Sequence, residues 1–290
     1  MERTFYIAGG DERMAHLANA LAEDKESTAA FALEKTGKLS PKVRISDDIG
    51  DAASAGIVIL PLPVSDGKGF LNAPFAEKKC RLSDVMKALS PGTILFGGKF
   101  SAENREEAKK KDVFLCDYYE REEFTVRNAS LTAEAAVALS LELLRESIRE
   151  TPVLILGHGR IGRLLLAMLK ALDADVTVAA RRFSDLAWIR SEGGTPLEFC
   201  HLKENLGKFR VIFNTVPAPV LKREELVLVR KDAILIDLAS APGGIDLEEA
   251  EKLGLDARMA LGLPGKFAPK TAGEIIRDTV FNELKEREAL

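Results

Sequence analysis

Residues 152–182 read PVLILGHGRIGRLLLAMLKALDADVTVAARR, and this stretch decides the fold. The apolar run at 153–156 is typical of a buried parallel strand, and apolar residues then recur at helical spacing from 164 to 172. A second apolar strand is expected at 176–179. A strand, a G-x-G-x-x-G turn, a helix and a strand within about 30 residues form the dinucleotide-binding fingerprint in the context that it requires.

Each glycine of this turn has its own physical task. Gly157 permits the tight turn after the strand, Gly159 lets the backbone approach a pyrophosphate, and Gly162 lets the helix lie close to the sheet. The start of the helix adds unpaired N–H groups and a partial positive charge, which favour phosphate. The expected cofactor contacts along the turn are Gly157, His158, Gly159, Arg160, Ile161 and Gly162. The alternative is a Rossmann domain that has kept the motif and lost its ligand.

The end of the second strand indicates which dinucleotide binds. An NAD site usually has an acidic residue about 20 residues after the glycines, where it binds the ribose hydroxyls. Here Arg181 and Arg182 stand at that place, Ser184 follows, and the first carboxylate is Asp185. A guanidinium donates two hydrogen bonds to one phosphate, which suits the 2′-phosphate of NADP. The sequence therefore favours NADP over NAD, unless the arginines are solvated surface charges.

The second half continues the same pattern. Further strands are expected at 209–213, 233–237 and 258–261. In a doubly wound sheet the carboxyl ends of such strands border the nicotinamide. On position alone, the expected contacts are Thr215, Val216, Pro217, Ala239 and Ser240.

The first half also alternates strands and helices. Strands are expected at 4–8, 29–33, 56–60, 93–96 and 113–116. Arg13 lies just after the glycines that end the first strand, and Ser65 and Asn72 lie in the glycine-rich loop after the third. Because ligands of open α/β sheets bind beyond the carboxyl ends of strands, these three side chains are candidate substrate contacts. An ordinary surface turn and loop are the alternative.

Two segments link and close the halves. A long helix is expected from about residue 128 to about 150, capped by Ser130 or Thr132 and stopped by Pro152. Near the C-terminus, Lys266 and Lys270 lie in a stretch rich in glycine and proline. Thr271 and the glutamate three residues later form a capping box for a last helix. The sequence predicts a basic pocket of Lys266, Lys270 and Thr271 for a carboxylate, the alternative being a solvated loop.

Composition sets outer limits. The 290 residues are 46% hydrophobic and 30% charged, with a formal net charge of −4 at pH 7, which fits a protein of two domains. This charge gives no reason to expect nucleic acid or an anionic membrane as a partner. No apolar run approaches the roughly 18 residues that cross a bilayer, and residues 1–10 show no secretory signal pattern. With three widely spaced cysteines, the sequence predicts a cytoplasmic protein.

Residues for nucleophilic or acid–base chemistry are scarce. Cys116 lies in an apolar strand without a neighbouring histidine, so a packed thiol is expected rather than a nucleophile. His16, His158 and His201 are expected to be structural or to face solvent. No catalytic residue is assigned, and no metal site is expected.

Several motifs together resemble a known family. They are YIAGGDERM (6–14), VILPLPVS (58–65), YEREEFTVRNASLTAEAAV (119–137), the stretch 157–182, VIFNTVPAPVL (211–221), ILIDLASAPGGID (234–246) and LGLPGKFAPKTAGEII (261–276). Over nearly its whole length the chain is similar to the A subunit of dipicolinate synthase, an enzyme of spore-forming Firmicutes. The motifs range from the generic glycine turn to the nearly diagnostic PGKFAPKTAGEII.

The resemblance implies an oxidoreductase of sporulation, present in the cytoplasm of the mother cell. That family oxidises the product of dihydrodipicolinate synthase, a cyclic dicarboxylic imine, to the aromatic dipicolinate. It acts with a second, flavoprotein-like subunit, the B subunit of the synthase, so an oligomer is expected. Two alternatives stay open: a generic NADP-dependent dehydrogenase of a small carboxylate, and a cofactor-binding subunit with no activity alone.

The resemblance also implies an architecture. We expect an α/β protein of two Rossmann-like doubly wound domains joined by long helices, as in alanine and 2-hydroxyacid dehydrogenases. Residues 1–129 and 271–290 would form a flavodoxin- or Rossmann-like substrate domain, 130–150 the linking helix, and 151–270 the NADP-binding domain.

Overall fold

The computed structural model describes residues 4–288, which fold into two compact units. Unit 1 comprises Met1–Asn128 and Ala268–Leu290, and unit 2 comprises Ala129–Phe267. The chain thus enters unit 1, builds unit 2 and returns to unit 1. Of the ranges expected for the first domain, residues 1–3 and 289–290 lie outside the described residues.

The described chain contains twelve strands and eleven α-helices, together with five short 3-10 helices. The strands are β1 (Thr4–Ala8), β2 (Ser27–Phe31), β3 (Arg44–Ser46), β4 (Ile57–Ile59), β5 (Ile94–Gly97), β6 (Phe114–Asp117), β7 (Pro152–Leu156), β8 (Asp175–Ala180), β9 (Thr195–Glu198), β10 (Val211–Asn214), β11 (Ile234–Asp237) and β12 (Asp256–Met259). The helices are α1 (Glu12–Glu23), α2 (Leu82–Ala88), α3 (Ala102–Lys110), α4 (Glu122–Leu144), α5 (Arg160–Ala171), α6 (Phe183–Ser191), α7 (Leu202–Asn205), α8 (Arg223–Leu226), α9 (Leu247–Lys252), α10 (Leu263–Phe267) and α11 (Pro269–Glu288).

Each unit is built on one six-stranded parallel sheet. The strand orders are β3-β2-β1-β4-β5-β6 in unit 1 and β12-β11-β10-β7-β8-β9 in unit 2. The order reverses between β1 and β4 and between β7 and β10, which are the places where ligands bind in doubly wound sheets. The predicted class, an α/β protein with two Rossmann-like doubly wound domains, is confirmed.

Apolar side chains cover both faces of the sheet in unit 2. Successive residues of β7 point to opposite sides of the sheet and therefore pack into two different clusters. Val153 and Ile155 belong to an apolar cluster with the leucines of α5, whereas Leu154 and Leu156 belong to a second cluster with residues of α7 and α9. This explains why β7 is apolar at every position instead of alternating.

Unit 1 is completed by the C-terminal helix. α1 packs along α11, and the ring of Phe5 in β1 meets that of Phe281 edge to face at 6.0 Å between centroids. The two helices approach closely at Gly273, where a β-carbon would lie 2.5 Å from the carbonyl oxygen of Arg13. On one side of the sheet, Tyr6, Val58 and residues of α2 share an apolar cluster.

The long helix differs from its prediction at both ends. α4 begins at Glu122 and ends at Leu144, so Ser130 and Thr132 lie inside it and neither caps it. Two glutamates in the first turn favour the start that is observed, because they face the positive end of the helix dipole. The helix stops because Arg145 takes a left-handed conformation with φ +52°. The predicted linking helix 130–150 is therefore wrong in its limits.

Ten predicted strands are present, with ends within two residues of those observed, and β3 and β9 are the two that were not predicted. Both are edge strands of three or four residues that pair on one side only. Pro196 is tolerated within β9 because proline has no N–H to donate, and an edge strand has no second neighbour that would need one. Such strands carry little apolar patterning, so a search for buried runs passes over them.

Two further findings bear on function. Cys116 is buried in β6, and burial, together with nearby Glu283, raises the pKa of its thiol to about 12. It is therefore a protonated, packed thiol, as expected. Separately, none of the helices in residues 4–288 combines the length and apolar character that crossing a bilayer requires.

Candidate functional site

The turn between β7 and α5 brings two pieces of backbone unusually close together. Gly157 has φ +97°, a conformation that glycine adopts easily. A β-carbon on Gly162 would lie 2.2 Å from the carbonyl oxygen of Gly157. On the other side, a β-carbon on Gly157 would lie 2.6 Å from Oγ1 of Thr215, which follows β10. The first and last glycines are thus required by packing within unit 2.

The middle glycine has a different environment. Gly159 is the N-cap of the 12-residue helix α5, and no side chain caps that helix start. A β-carbon on Gly159 would meet nothing within 4 Å. An uncapped helix start that opens onto free space offers its first N–H groups to an anion.

Two cations stand at the end of the neighbouring strand. Arg181 follows β8, and Arg182 is the N-cap of α6. Both are exposed, as is Ser184 in the first turn. Neither guanidinium forms a hydrogen bond or ion pair with any residue between 4 and 288, whereas Arg230 and Arg258 each bind an aspartate two residues away. Arg181 and Arg182 are free to bind a ligand.

Buried polar side chains, which the sequence pattern did not reveal, hold the ends of β10 and β11. Asn214 and Asp237 are both 0% exposed, and Nδ2 of Asn214 donates to Oδ1 of Asp237 at 2.7 Å. The same amide group donates to the carbonyl oxygen of Val216 at 3.0 Å and accepts from its N–H at 3.1 Å. Thr215 donates through Oγ1 to the carbonyl oxygen of Leu156 at 2.8 Å. These bonds fix Thr215 and Val216 beside the glycine turn.

Asp237 shapes the loop after β11. Its carboxylate accepts the N–H groups of Ala239 at 3.1 Å, Gly244 at 2.7 Å and Ile245 at 3.0 Å. A buried carboxylate is tolerated only with such partners, so the loop must wrap around it. Ala239 and Ser240, predicted from position alone, thereby lie at the carboxyl end of β11. The sequence signal that could have revealed Asn214 and Asp237 is a polar residue at the end of each of two apolar strands.

His158 does not face solvent. Its side chain is 2% exposed, and Nε2 lies 2.9 Å from Oε2 of Glu192, the residue that follows α6. Arg163 of α5 donates to the other oxygen of Glu192 at 2.5 and 3.1 Å. Burial opposes ionisation of Glu192, but the bonds from His158 and Arg163 outweigh it, so the pKa of the carboxyl lies below its usual value. Of the two expectations for His158, structural or facing solvent, the buried ring excludes the second.

In unit 1, a second cluster of polar side chains lies between β1 and α1, where the strand order of that sheet reverses. Asp11 caps α1, and Nε of Arg13 donates to its Oδ1 at 2.8 Å. Nη2 of Arg13 also donates to the carbonyl oxygen of Leu62 at 2.8 Å, and the side chain is only 12% exposed. Nδ2 of Asn72 donates to the next carbonyl, that of Pro63, at 3.1 Å. The structure therefore brings Arg13 and Asn72 to the same loop beyond β4.

Other predicted substrate residues have separate surroundings. Ser65 lies in the loop after β4, where its Oγ accepts the N–H of Gly67 at 3.1 Å. Lys266 lies in α10 and Lys270 in the first turn of α11, so they do not share one loop as predicted. Thr271 does not cap the last helix, because α11 already begins at Pro269, a residue favoured in a first turn. Both lysines and Thr271 are exposed.

Metal binding finds no support in the described chain. Among residues 4–288, His, Cys, Asp and Glu side chains do not gather in any group of three or more that could hold a metal ion. The site of unit 2 is instead built from N–H groups, guanidiniums and hydroxyls, which suit an anionic organic ligand.

The doubly wound sheets and the glycine turn define a class of fold, the two-domain Rossmann-type α/β proteins. Residues 122–245 match the family model described as "D-isomer specific 2-hydroxyacid dehydrogenase, NAD binding domain". The fold of the whole chain is shared with an L-alanine dehydrogenase structure, at a TM-score of 0.66 and 12% identity, covering 96% of this chain and 88% of that one. The protein therefore has the α/β fold of the dehydrogenases.

Within that class, the chain belongs to the family of dipicolinate synthase A subunits. It is 30% identical over 288 residues to the A subunit of dipicolinate synthase from Bacillus subtilis (strain 168), covering 98% of this chain and 96% of that protein. Residues 4–119 match the family model for the N-terminal domain of this dipicolinate synthase subunit. A crystal structure of the same subunit from Bacillus halodurans superposes with a TM-score of 0.88 at 27% identity, covering 98% of each chain. The family resemblance seen in the sequence is confirmed.

The two environments within the glycine turn predict opposite results from the same substitution. Gly162→Ala places a methyl group 2.2 Å from a backbone oxygen, so we expect a loss of about 1–3 kcal/mol in unfolding free energy. Gly159→Ala enters open space at φ −82° and should leave stability unchanged. Denaturant unfolding of both variants measures this. Equal stability of the two variants would contradict the packing described for Gly162.

Proposed function

We propose that this chain is the dehydrogenase subunit of a dipicolinate synthase. It would use NADP to oxidise the dihydrodipicolinate-type product of dihydrodipicolinate synthase to the aromatic dipicolinate. The observation that carries this proposal is the uncapped start of α5, open around Gly159, beside β8, which is followed by two arginines that have no partner among residues 4–288. The name of the Bacillus subtilis relative supports the choice of product.

The residues present fit a phosphorylated dinucleotide. The first-turn N–H groups of α5 would bind the pyrophosphate, to which His158 would contribute only its main chain, because its ring is engaged by Glu192. Arg181, Arg182 and Ser184 would bind the 2′-phosphate. The residues at the ends of β10 and β11 would border the nicotinamide: Thr215, Val216, Pro217, Ala239 and Ser240.

The proposed reaction depends more on how the substrate is positioned than on a strong base. NADP, when bound, supplies the hydride acceptor. The substrate loses a hydride and a proton, and the proton leaves easily because its loss completes an aromatic ring. The chain's task is then to orient a dicarboxylate, and we assign no catalytic residue.

Arg13 is the best supported contact for a substrate carboxylate in unit 1. It uses Nε and Nη2 on Asp11 and Leu62, and within the described chain Nη1 has no partner. Asp11 keeps the guanidinium in place, which lowers the entropy lost on binding. Asn72 and Ser65, in the adjoining loop, would complete this contact. Lys266, Lys270 and Thr271 are proposed as further contacts because they are exposed.

The proposal extends to partners and place. The relatives are named as one subunit of a synthase, which implies at least one further subunit. We propose that this second subunit is the flavoprotein-like B subunit of the synthase, and that the two assemble in an oligomer. We place the complex in the cytoplasm of the mother cell during sporulation. Nucleic acid and membrane are not proposed as partners.

The reaction is tested by incubating the purified chain with NADP and freshly formed synthase product, with and without the flavoprotein-like second subunit. We expect dipicolinate, measured by its ultraviolet absorbance, together with NADPH. Formation only in the presence of the second subunit would identify a chain with no activity alone. Turnover of a 2-oxo or amino acid in place of this substrate would contradict the proposal and favour a generic carboxylate dehydrogenase.

Cofactor choice is tested by Arg181→Ala and Arg182→Ala. Each substitution removes a charged hydrogen bond to the 2′-phosphate, worth about 1.5–3 kcal/mol, so NADP should bind at least about tenfold more weakly. NAD has no such phosphate and should bind as before. Arg190→Ala, an exposed arginine near the other end of α6, is the matched control and should change neither affinity. Isothermal titration measures all three variants, and an equal loss for both nucleotides would contradict a 2′-phosphate role.

A further inference from the structure

The proposed function uses the main chain of the glycine turn but not the side chain of His158. A turn of this kind needs no side chain at that position in order to bind phosphate. Yet the imidazole is 2% exposed and hydrogen-bonded at 2.9 Å to Glu192, which belongs to a different βα segment. A hydrogen bond to a buried imidazole of this kind holds the neighbouring backbone in one arrangement.

Glu192 is hydrogen-bonded to one residue before the start of α5 and to another within its first turn. One carboxylate oxygen meets His158, which directly precedes the N-cap Gly159, and the other receives two bonds from Arg163, one turn into the helix. The N–H groups that would face the pyrophosphate lie between these two attachment points. The carboxylate therefore acts on the backbone segment that matters for anion binding.

The position of Glu192 is itself well determined. Its N–H donates to the carbonyl oxygen of Trp188 at 2.9 Å, and Gly194 donates to that of Ile189 at 2.9 Å. A β-carbon on Gly194 would lie 2.8 Å from Cδ1 of Leu166, so this chain segment is packed directly against α5. The carboxylate thus projects from a fixed support.

We infer that Glu192, through His158 and Arg163, is a positioning residue that holds the start of α5 in the form that binds the dinucleotide pyrophosphate. The inference rests on the proposed cofactor site. The inference predicts an effect opposite to that of charge alone, because a carboxylate near an anion site repels the anion through space. Removing the charge of Glu192 would strengthen phosphate binding if simple electrostatics dominated, and would weaken it if positioning dominates.

The test compares the affinity of the full chain for NADP and NAD, by isothermal titration, in four variants. His158→Leu fills the space without a hydrogen bond, whereas His158→Gln keeps an N–H that can reach the carboxylate. Glu192→Gln removes the charge and replaces one of the two carboxylate oxygens with an NH2 group, so the side chain can no longer accept from both His158 and Arg163. The matched control is Glu249→Gln in α9, since the carboxylate of Glu249 also joins two side chains, Arg223 and Lys252, each at 2.6 Å.

We expect His158→Leu and Glu192→Gln to weaken both nucleotides about tenfold, because both share the pyrophosphate. His158→Gln should stay within about twofold of the unaltered chain, and Glu249→Gln should match it. With the flavoprotein-like second subunit present, the KM for NADP should rise while kcat is retained. Circular dichroism confirms that each variant is folded.

Several results would overturn the inference. They are unchanged or tighter binding by Glu192→Gln, a loss confined to NADP, and equal losses for His158→Leu and His158→Gln. Failure of the proposed function looks different, because the unaltered chain would then bind neither nucleotide, and the inference would fall with it.

Discussion

The close contact between α5 and the end of β7 is the constraint on which the site in unit 2 depends. Gly162 has no side chain because the carbonyl oxygen of Gly157 occupies the space where one would stand, and Gly157 in turn leaves room for Thr215. This contact points the start of α5 at the carboxyl edge of the sheet, between the two strands where the order reverses. The open surroundings of Gly159 follow from it, and they leave the helix start with a geometry that suits an anion.

Buried aspartates hold the loops at the carboxyl edges of both sheets. In unit 2, Asp237 accepts three N–H groups of the loop that follows its own strand. In unit 1, Asp117 ends β6 and accepts the N–H groups of Lys99 at 3.1 Å and Phe100 at 3.0 Å, which belong to the loop after β5. Arg105 adds a bond to Asp117 at 2.8 Å. In both units a buried aspartate side chain takes the place of regular secondary structure where the backbone must turn.

The sequence predicted what depends on local pattern and missed what depends on tertiary partners. Apolar runs located the central strands because these are buried on both faces, and the glycine spacing located the turn. The short edge strands β3 and β9 lack that pattern. The start of α11 at Pro269 was misplaced because Thr271 and Glu274 satisfy a capping box without being used as one. The bond from His158 to Glu192 joins residues 34 apart and has no sequence signature.

Binding of a nicotinamide dinucleotide across the start of α5 is the proposal from which the others follow. Backbone hydrogen exchange of the full chain, measured with and without saturating NADP, tests it most directly. We predict slower exchange in residues 159–163 and in the segment that begins at Arg181, with the equivalent turn of unit 1 at Gly9–Gly10 unchanged. Unaltered exchange at the start of α5, or protection confined to the turn of unit 1, would contradict it.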